Sequence, residues 1–236
     1  MAATKQGAAG TRSFSPALFD FLRDLRANND RDWFKANKAR YLETVQEPAL
    51  EFVSAFEPHL QAISPHFVAD ARPVGGSLFR IHRDTRFSKD KSPYKTHTGI
   101  HFRHELAQSA HAPGFYVHLE PGQTFLAAGI WRPDAEPLAR IRTAIAEDPG
   151  RWTTTTGAPA FASMYHLAGE SLKRPPAGFD PEHPLIEELK RKDFIAVRSI
   201  SDKTACSRGF LEETAESFAA AGPFVRLLCD AISAPF

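Results

Sequence analysis

Cysteine is scarce in this chain: Cys206 and Cys229 are the two thiols in 236 residues. Two late cysteines cannot build a disulfide framework. Reduced thiols in a cytoplasmic protein are the expectation. Long apolar runs are also missing. None approaches the roughly 18–20 residues that a membrane helix needs, so a membrane partner is not expected. Residues 1–13 hold no apolar stretch of the kind a secretory signal requires. They read as a disordered tail ahead of a single domain over residues 14–236. No sign of charge dominates, since the formal net charge is +1.

The common catalytic strings are absent as well. The chain has no HExxH, no paired CxxC, no GxSxG, no phosphate-binding GxxxxGK[ST] and no GxGxxG. These absences remove the usual sequence pointers to zincins, serine hydrolases and nucleotide folds. Ten histidines are many for this length. His97 and His101 would share a strand face, with His104, His111 and His118 nearby in sequence. A zinc site needs three or four converging ligands, and no spacing here announces one. No metal and no cofactor are therefore expected. Cys206 precedes an expected helix start, where a thiol pKa can fall. No partner histidine is identifiable, so Cys206 reads as incidental.

What the chain does have is 42% hydrophobic residues, enough to bury a core. Residues 14–63 read as helical. Ser15-Pro16 is a cap and first-turn pair, and Phe14, Leu18, Phe21, Leu22 and Leu25 recur at helical spacing. A second helix is expected from Asp30 or Asp32, and a third segment from Pro48. Trp33, Phe34, Tyr41 and Trp131 read as core, with an aromatic ligand wall as the alternative.

The middle of the chain reads as β. Residues 77–87 are expected as a strand, with Phe79, Ile81 and Phe87 on one parity. Residues 98–106 alternate, and residues 114–132 form a hairpin about Pro121-Gly122, a type II turn pair. A helix from Asp134 is expected to end at Asp148-Pro149-Gly150. Residues 151–181 read as irregular, with one short helix near Phe161. Residues 182–192 read as helix and residues 194–197 as strand. From Ser207 a helix is expected, broken at Gly222-Pro223. Helices at both ends with consecutive strands between them predict an α+β fold, its central, mostly antiparallel sheet flanked by N-terminal and C-terminal helices.

Charge is gathered in one place. Arg80, Arg83, Arg86, Lys89, Lys91 and Lys95 face only Asp84 and Asp90, so this window carries +4 and the rest of the chain −3. Burying an unpaired charge is costly. The cations therefore either join an internal ion-pair lattice or converge on an anion from outside. Glu43, Glu47, Glu105 and Glu120 are the acids that could fold back onto them. Guanidinium groups suit bidentate contact with carboxylate or phosphate. The candidate ligand-binding residues are Arg80, Arg83, Arg86, Lys91, Tyr94 and Lys95. Asp84 is the candidate catalytic residue, although its cationic neighbours should lower its pKa and make it an orienter rather than a base.

The string Arg80, Arg83-Asp84, Arg86-Phe87, Asp90-Lys91 and Tyr94 resembles the signature of a family of uncharacterised bacterial proteins, with homologous regions in fungal proteins. That family is known as a domain of unknown function. The likeness extends through Asn28-Asn29, Trp33-Phe34, the Pro93-Tyr94-Lys95 step, Gly129, Trp131, Pro133 and His183-Pro184. It implies that the polar segment is shared by the family and implies no activity. Three readings stand. One is a small anionic ligand, such as a nucleotide, sugar phosphate or carboxylate, with or without catalysis. Another is nucleic-acid binding, against which stands the near-neutral chain. The last is an interaction domain in which the charges are structural.

Overall fold

The computed structural model describes residues 13–106 and 112–236. All but Ser13 of the expected tail, and His111, lie outside the described residues. The chain opens with α1 (Pro16–Ala27), α2 (Arg31–Ala36) and α3 (Lys38–Tyr41), then a π-helical turn (Leu42–Gln46) that runs into α4 (Glu47–Ile63). Asp30 starts α2 by accepting the Trp33 backbone N–H at 2.8 Å. Pro48 lies in the first turn of α4, which is the expected third segment, continuous here with the π-helical turn before it.

Next come β1 (Phe67–Val68), β2 (Thr98–His104), β3 (Gly114–Leu119) and β4 (Phe125–Ile130). The expected hairpin is present. Gly122 takes φ 75° at its turn, and the Gln123 N–H donates to the Glu120 carbonyl at 2.9 Å. After it follow α5 (Ala135–Glu147), α6 (Pro149–Gly157), α7 (Pro159–Ala162), β5 (His166–Ala168), α8 (Ile186–Leu189), β6 (Phe194–Ser199), α9 (Asp202–Ala205) and α10 (Phe210–Ala231).

Three expectations are corrected here. Asp148-Pro149-Gly150 both ends α5 and starts α6, because the Asp148 carboxylate accepts the Arg151 N–H at 2.9 Å and Trp152 is buried beneath. The helix expected over 182–192 shrinks to Ile186–Leu189. α10 runs through Gly222-Pro223 without a break. Ala221, Gly222, Phe224 and Val225 are all buried there, and tertiary packing outweighs helix propensity.

The described strands form one antiparallel sheet in the order β1-β2-β3-β4-β6-β5. The fold is α+β, as the element pattern predicts. Side chains alternate across a strand. Ile100, Phe102, Phe115, Val117, Leu126 and Ala128 face the helices. On that side Phe102 stacks on Phe56 of α4 at 4.9 Å, and Phe115 meets Phe218 of α10 at 4.9 Å. The opposite face carries Gly99, His101, Tyr116, His118, Phe125, Ala127 and Gly129. No helix among the described residues is long and apolar enough to cross a membrane.

Candidate functional site

The charged segment departs from the expected strand. Only its start pairs with the sheet: Leu78 bridges Ile100, the Phe79 N–H donates to Gly99 O at 2.9 Å, and the His101 N–H donates to Ser77 O at 2.8 Å. Beyond that the chain forms an irregular hairpin. Lys95 N–H donates to Ile81 O at 2.7 Å, and Arg83 N–H to Pro93 O at 2.9 Å. The tip folds on local side-chain bonds. Asp84 accepts the Arg86 N–H at 3.2 Å, and Asp90 accepts the Ser92 N–H at 2.9 Å. Such turns compete with a ladder. Parity fails accordingly: Ile81 is buried, whereas Phe87 is 95% exposed.

The signature residues divide by task. Arg86 clasps Asp84 at 2.6 Å, and Arg83 pairs with Asp90. Lys91 donates to the Thr85 carbonyl at 2.9 Å. Tyr94 is buried, with its ring stacked 4.1 Å from Phe34. Its backbone is gripped by Asn29, which donates to Tyr94 O at 2.9 Å and accepts from Tyr94 N–H at 3.1 Å. The Arg86 guanidinium holds the Asp84 carboxyl down to about 2. Asp84 thus stays ionised near neutrality and is a poor proton acceptor.

Arg80 and Lys95 differ from the others. Among the described residues neither has an acid within ion-pair distance. Glu105 is taken by His66, and Glu120 by Arg26 and His118. Arg80 is exposed, while Lys95 is partly buried with its ammonium 5.2 Å from the centre of the Phe79 ring. Burial first, then the charge of Arg80, lowers the Lys95 pKa.

Phe79 is also one wall of a cleft of about 340 Å³ on the uncovered face of the sheet. Tyr116, His118, Phe125, Trp131 and Val197 also line it. Gly99 gives Tyr116 its room, since a Cβ there would fall 2.4 Å from the tyrosine oxygen. Gly129, at φ +123°, lets β4 pass close to β6 and α10; a Cβ there would sit 2.0 Å from Phe194 O and 3.0 Å from the Phe224 ring. His101 is buried on the same face, and its Nδ1 finds no hydrogen-bond partner among the described residues. Burial pushes its pKa down to about 4.

A polar chain runs along this face. The Tyr116 hydroxyl lies 3.1 Å from His118 Nδ1, His118 Nε2 lies 2.9 Å from Glu120 Oε2, and Arg26 donates to Glu120 Oε1 at 2.7 Å. The His97 ring centre lies 4.5 Å from that of His118. Burial, and then the neighbouring His118, push the His97 pKa down to about 4. The sequence spacing announces no site at these histidines, and Glu120 enters it only as an acid that could fold back onto the cations. A larger and more open hollow of about 780 Å³ lies between α1 and α9, with Cys206 in its wall. Its carboxylate Asp202 is already engaged by Thr124 and the Gly122 N–H.

Residues 17–227 match the conserved hypothetical protein family DUF2461. The chain belongs to this family. No curated protein matches it. The DUF2461 match spans α1 to most of α10, and so takes in the charged hairpin, the cleft and the histidine chain together.

Proposed function

We propose that this protein binds a small anionic molecule that carries a flat ring. The ring enters the cleft between Phe79, Tyr116, Phe125 and Trp131, and the anion is met at the rim by Arg80 and Lys95. The observation that carries this reading is Arg80 and Lys95, neither with an acid within ion-pair distance among the described residues, with the Lys95 ammonium over Phe79, which is itself a wall of the cleft. Ligand sites combine an apolar, aromatic lining with a few convergent polar groups in this way. Arg83, Arg86, Lys91 and Tyr94 serve differently: their partners lie within the hairpin or its anchor, so they hold Arg80 and Lys95 in place. Asp84, kept ionised by Arg86, orients that guanidinium. The reading is one of binding, and the ligand class is a nucleotide, a phosphorylated sugar with an aromatic substituent, or an aryl carboxylate.

Calorimetric titration with a nucleoside monophosphate, a hexose phosphate and an aryl carboxylate tests it. Ring-bearing anions should bind and the hexose phosphate should bind less well. Arg80→Ala and Lys95→Ala should each weaken binding by about tenfold or more, the scale of one charged hydrogen bond. Arg86→Ala, which loosens only the exposed tip, should weaken binding far less than either rim variant. The fall in affinity between about 50 and 200 mM salt should correspond to one or two counterions released on binding; a steep slope would instead mark a nucleic acid. If no anion binds, or if both rim variants bind as the parent does, the reading fails.

A further inference from the structure

The register of β2 against β3 brings together three ligating side chains that lie apart in sequence. Thr98 faces Leu119 and Gly99 faces His118, so one step beyond the ladder His97 comes opposite Glu120. Residues 97, 118 and 120 share the uncovered face. One ligand atom from each lies within 4.8 Å of the others. We propose that His97, His118 and Glu120 form a three-ligand site for a zinc-like divalent cation, with an open coordination position beside the cleft.

Two of the three ligands are prepared for that task. Tyr116 holds His118 at Nδ1 and leaves Nε2 toward Glu120. Arg26 holds Oε1 of Glu120 and leaves Oε2 on the same side. Such outer partners fix the tautomer and angle of metal ligands. No hydrogen bond to the His97 ring is found among the described residues. Without an ion, the His118 Nε2–H donates to Glu120. With one, that proton moves to Nδ1 and is donated to the Tyr116 oxygen, so imidazole stays neutral and no net proton is lost. Zinc–ligand bonds near 2.0–2.1 Å place tetrahedral donors about 3.3 Å apart. The His118–Glu120 spacing of 2.9 Å is close to that already, and only His97 has to move inward.

Two imidazoles and one carboxylate select first-row ions over magnesium or calcium, which prefer oxygen. Three protein ligands are also the pattern that leaves a fourth position for water or substrate. His118 is a shared residue of the site and the cleft lining, so a bound ion would stand at the edge of the cleft. The site does not depend on the anion-binding reading, since water can fill the fourth position.

The test uses the untagged full-length chain, stripped with chelator and free of any organic ligand. Cobalt(II) should bind one ion per chain with the intense visible absorption of a four- or five-coordinate site. Zinc should abolish that band by displacing it, and magnesium should not. His97→Ala and Glu120→Gln should each weaken zinc binding by roughly 100-fold or more, beyond what loss of an outer partner does. His166→Ala, on exposed β5, should leave it unchanged. A parent protein that gives no cobalt band overturns the site without any variant, so a misfolded substitution cannot shelter it. Folded His97→Ala and Glu120→Gln proteins that bind zinc as the parent does overturn it too.

Discussion

The two faces of one sheet follow opposite rules. On the helix side Ile100, Phe102, Phe115, Val117 and Leu126 are fully buried in a contiguous aromatic and aliphatic core. On the other side the same strands present His101, Tyr116, His118 and Phe125, covered only in part by the charged hairpin and open at the cleft. The contrast teaches where this fold keeps its stability and where it is free to place polar groups. A strand that is secured by one face can carry desolvated histidines on the other without unfolding.

The largest expected effect tests that division directly. Phe102→Ala empties a site enclosed by Phe56 and Phe218 and should cost about 3–5 kcal/mol in urea denaturation. Phe125→Ala removes a ring of the same size from the cleft side, where it is only partly buried and stacks on His118 at 4.4 Å. It should cost about 1–2 kcal/mol. Equal losses would mean that the open face is as much core as the covered one.

An acid limb gives the second test. In the unfolded chain His101 titrates at about 6.5, whereas burial puts it at about 4 in the fold. Between these values the unfolded chain holds the proton and the native chain does not. Stability should therefore fall as pH drops from about 6.5 to 4, and be fully present above that window. The share of His101 is on the order of 3 kcal/mol. His97, also pushed down to about 4, adds to the same limb. His101→Gln should flatten the dependence in chemical denaturation run at a series of pH values. An unchanged slope would show that His101 is not held neutral on the uncovered face.

Much of this sheet was legible in the sequence, for physical reasons. Phe115, Val117 and Leu119 alternate with Tyr116, His118 and Glu120, and Pro121-Gly122 permits one turn geometry, so local pattern and turn chemistry agree. The charged segment was not legible as a conformation. Asp84 and Asp90 each accept the backbone N–H two residues on within the tip, and period-two parity cannot distinguish that from a strand. Gly222-Pro223 misleads because burial of the surrounding α10 residues outweighs a local breaker. The histidine chain was half legible. Tyr116, His118 and Glu120 visibly share parity, as do His97 and His101. Their meeting depends on the β2–β3 register, set by a connection longer than any two-residue turn rule covers. A register slip of one residue would separate them.

The smallest expected effect concerns the hairpin tip. Arg86 and Asp84 are mostly exposed, and an exposed pair of this kind adds little to folding because water screens both charges. Asp84 is held at about 2, below the usual carboxylate value. Whatever the pair contributes is therefore present above about pH 4 and is lost only as pH falls toward 2, beneath the window in which the histidines titrate. Arg86→Ala should leave the thermal melt at pH 7 unmoved and the histidine limb unchanged in slope. Tyr94→Ala, which removes the ring stacked on Phe34, should lower the melt clearly. The contrast separates an appendage from its anchor. If Arg86→Ala lowers the melt as far as Tyr94→Ala does, the tip is a structural lattice continuous with the core. The uncovered face would then have no independent rim at which Arg80 and Lys95 could receive a ligand.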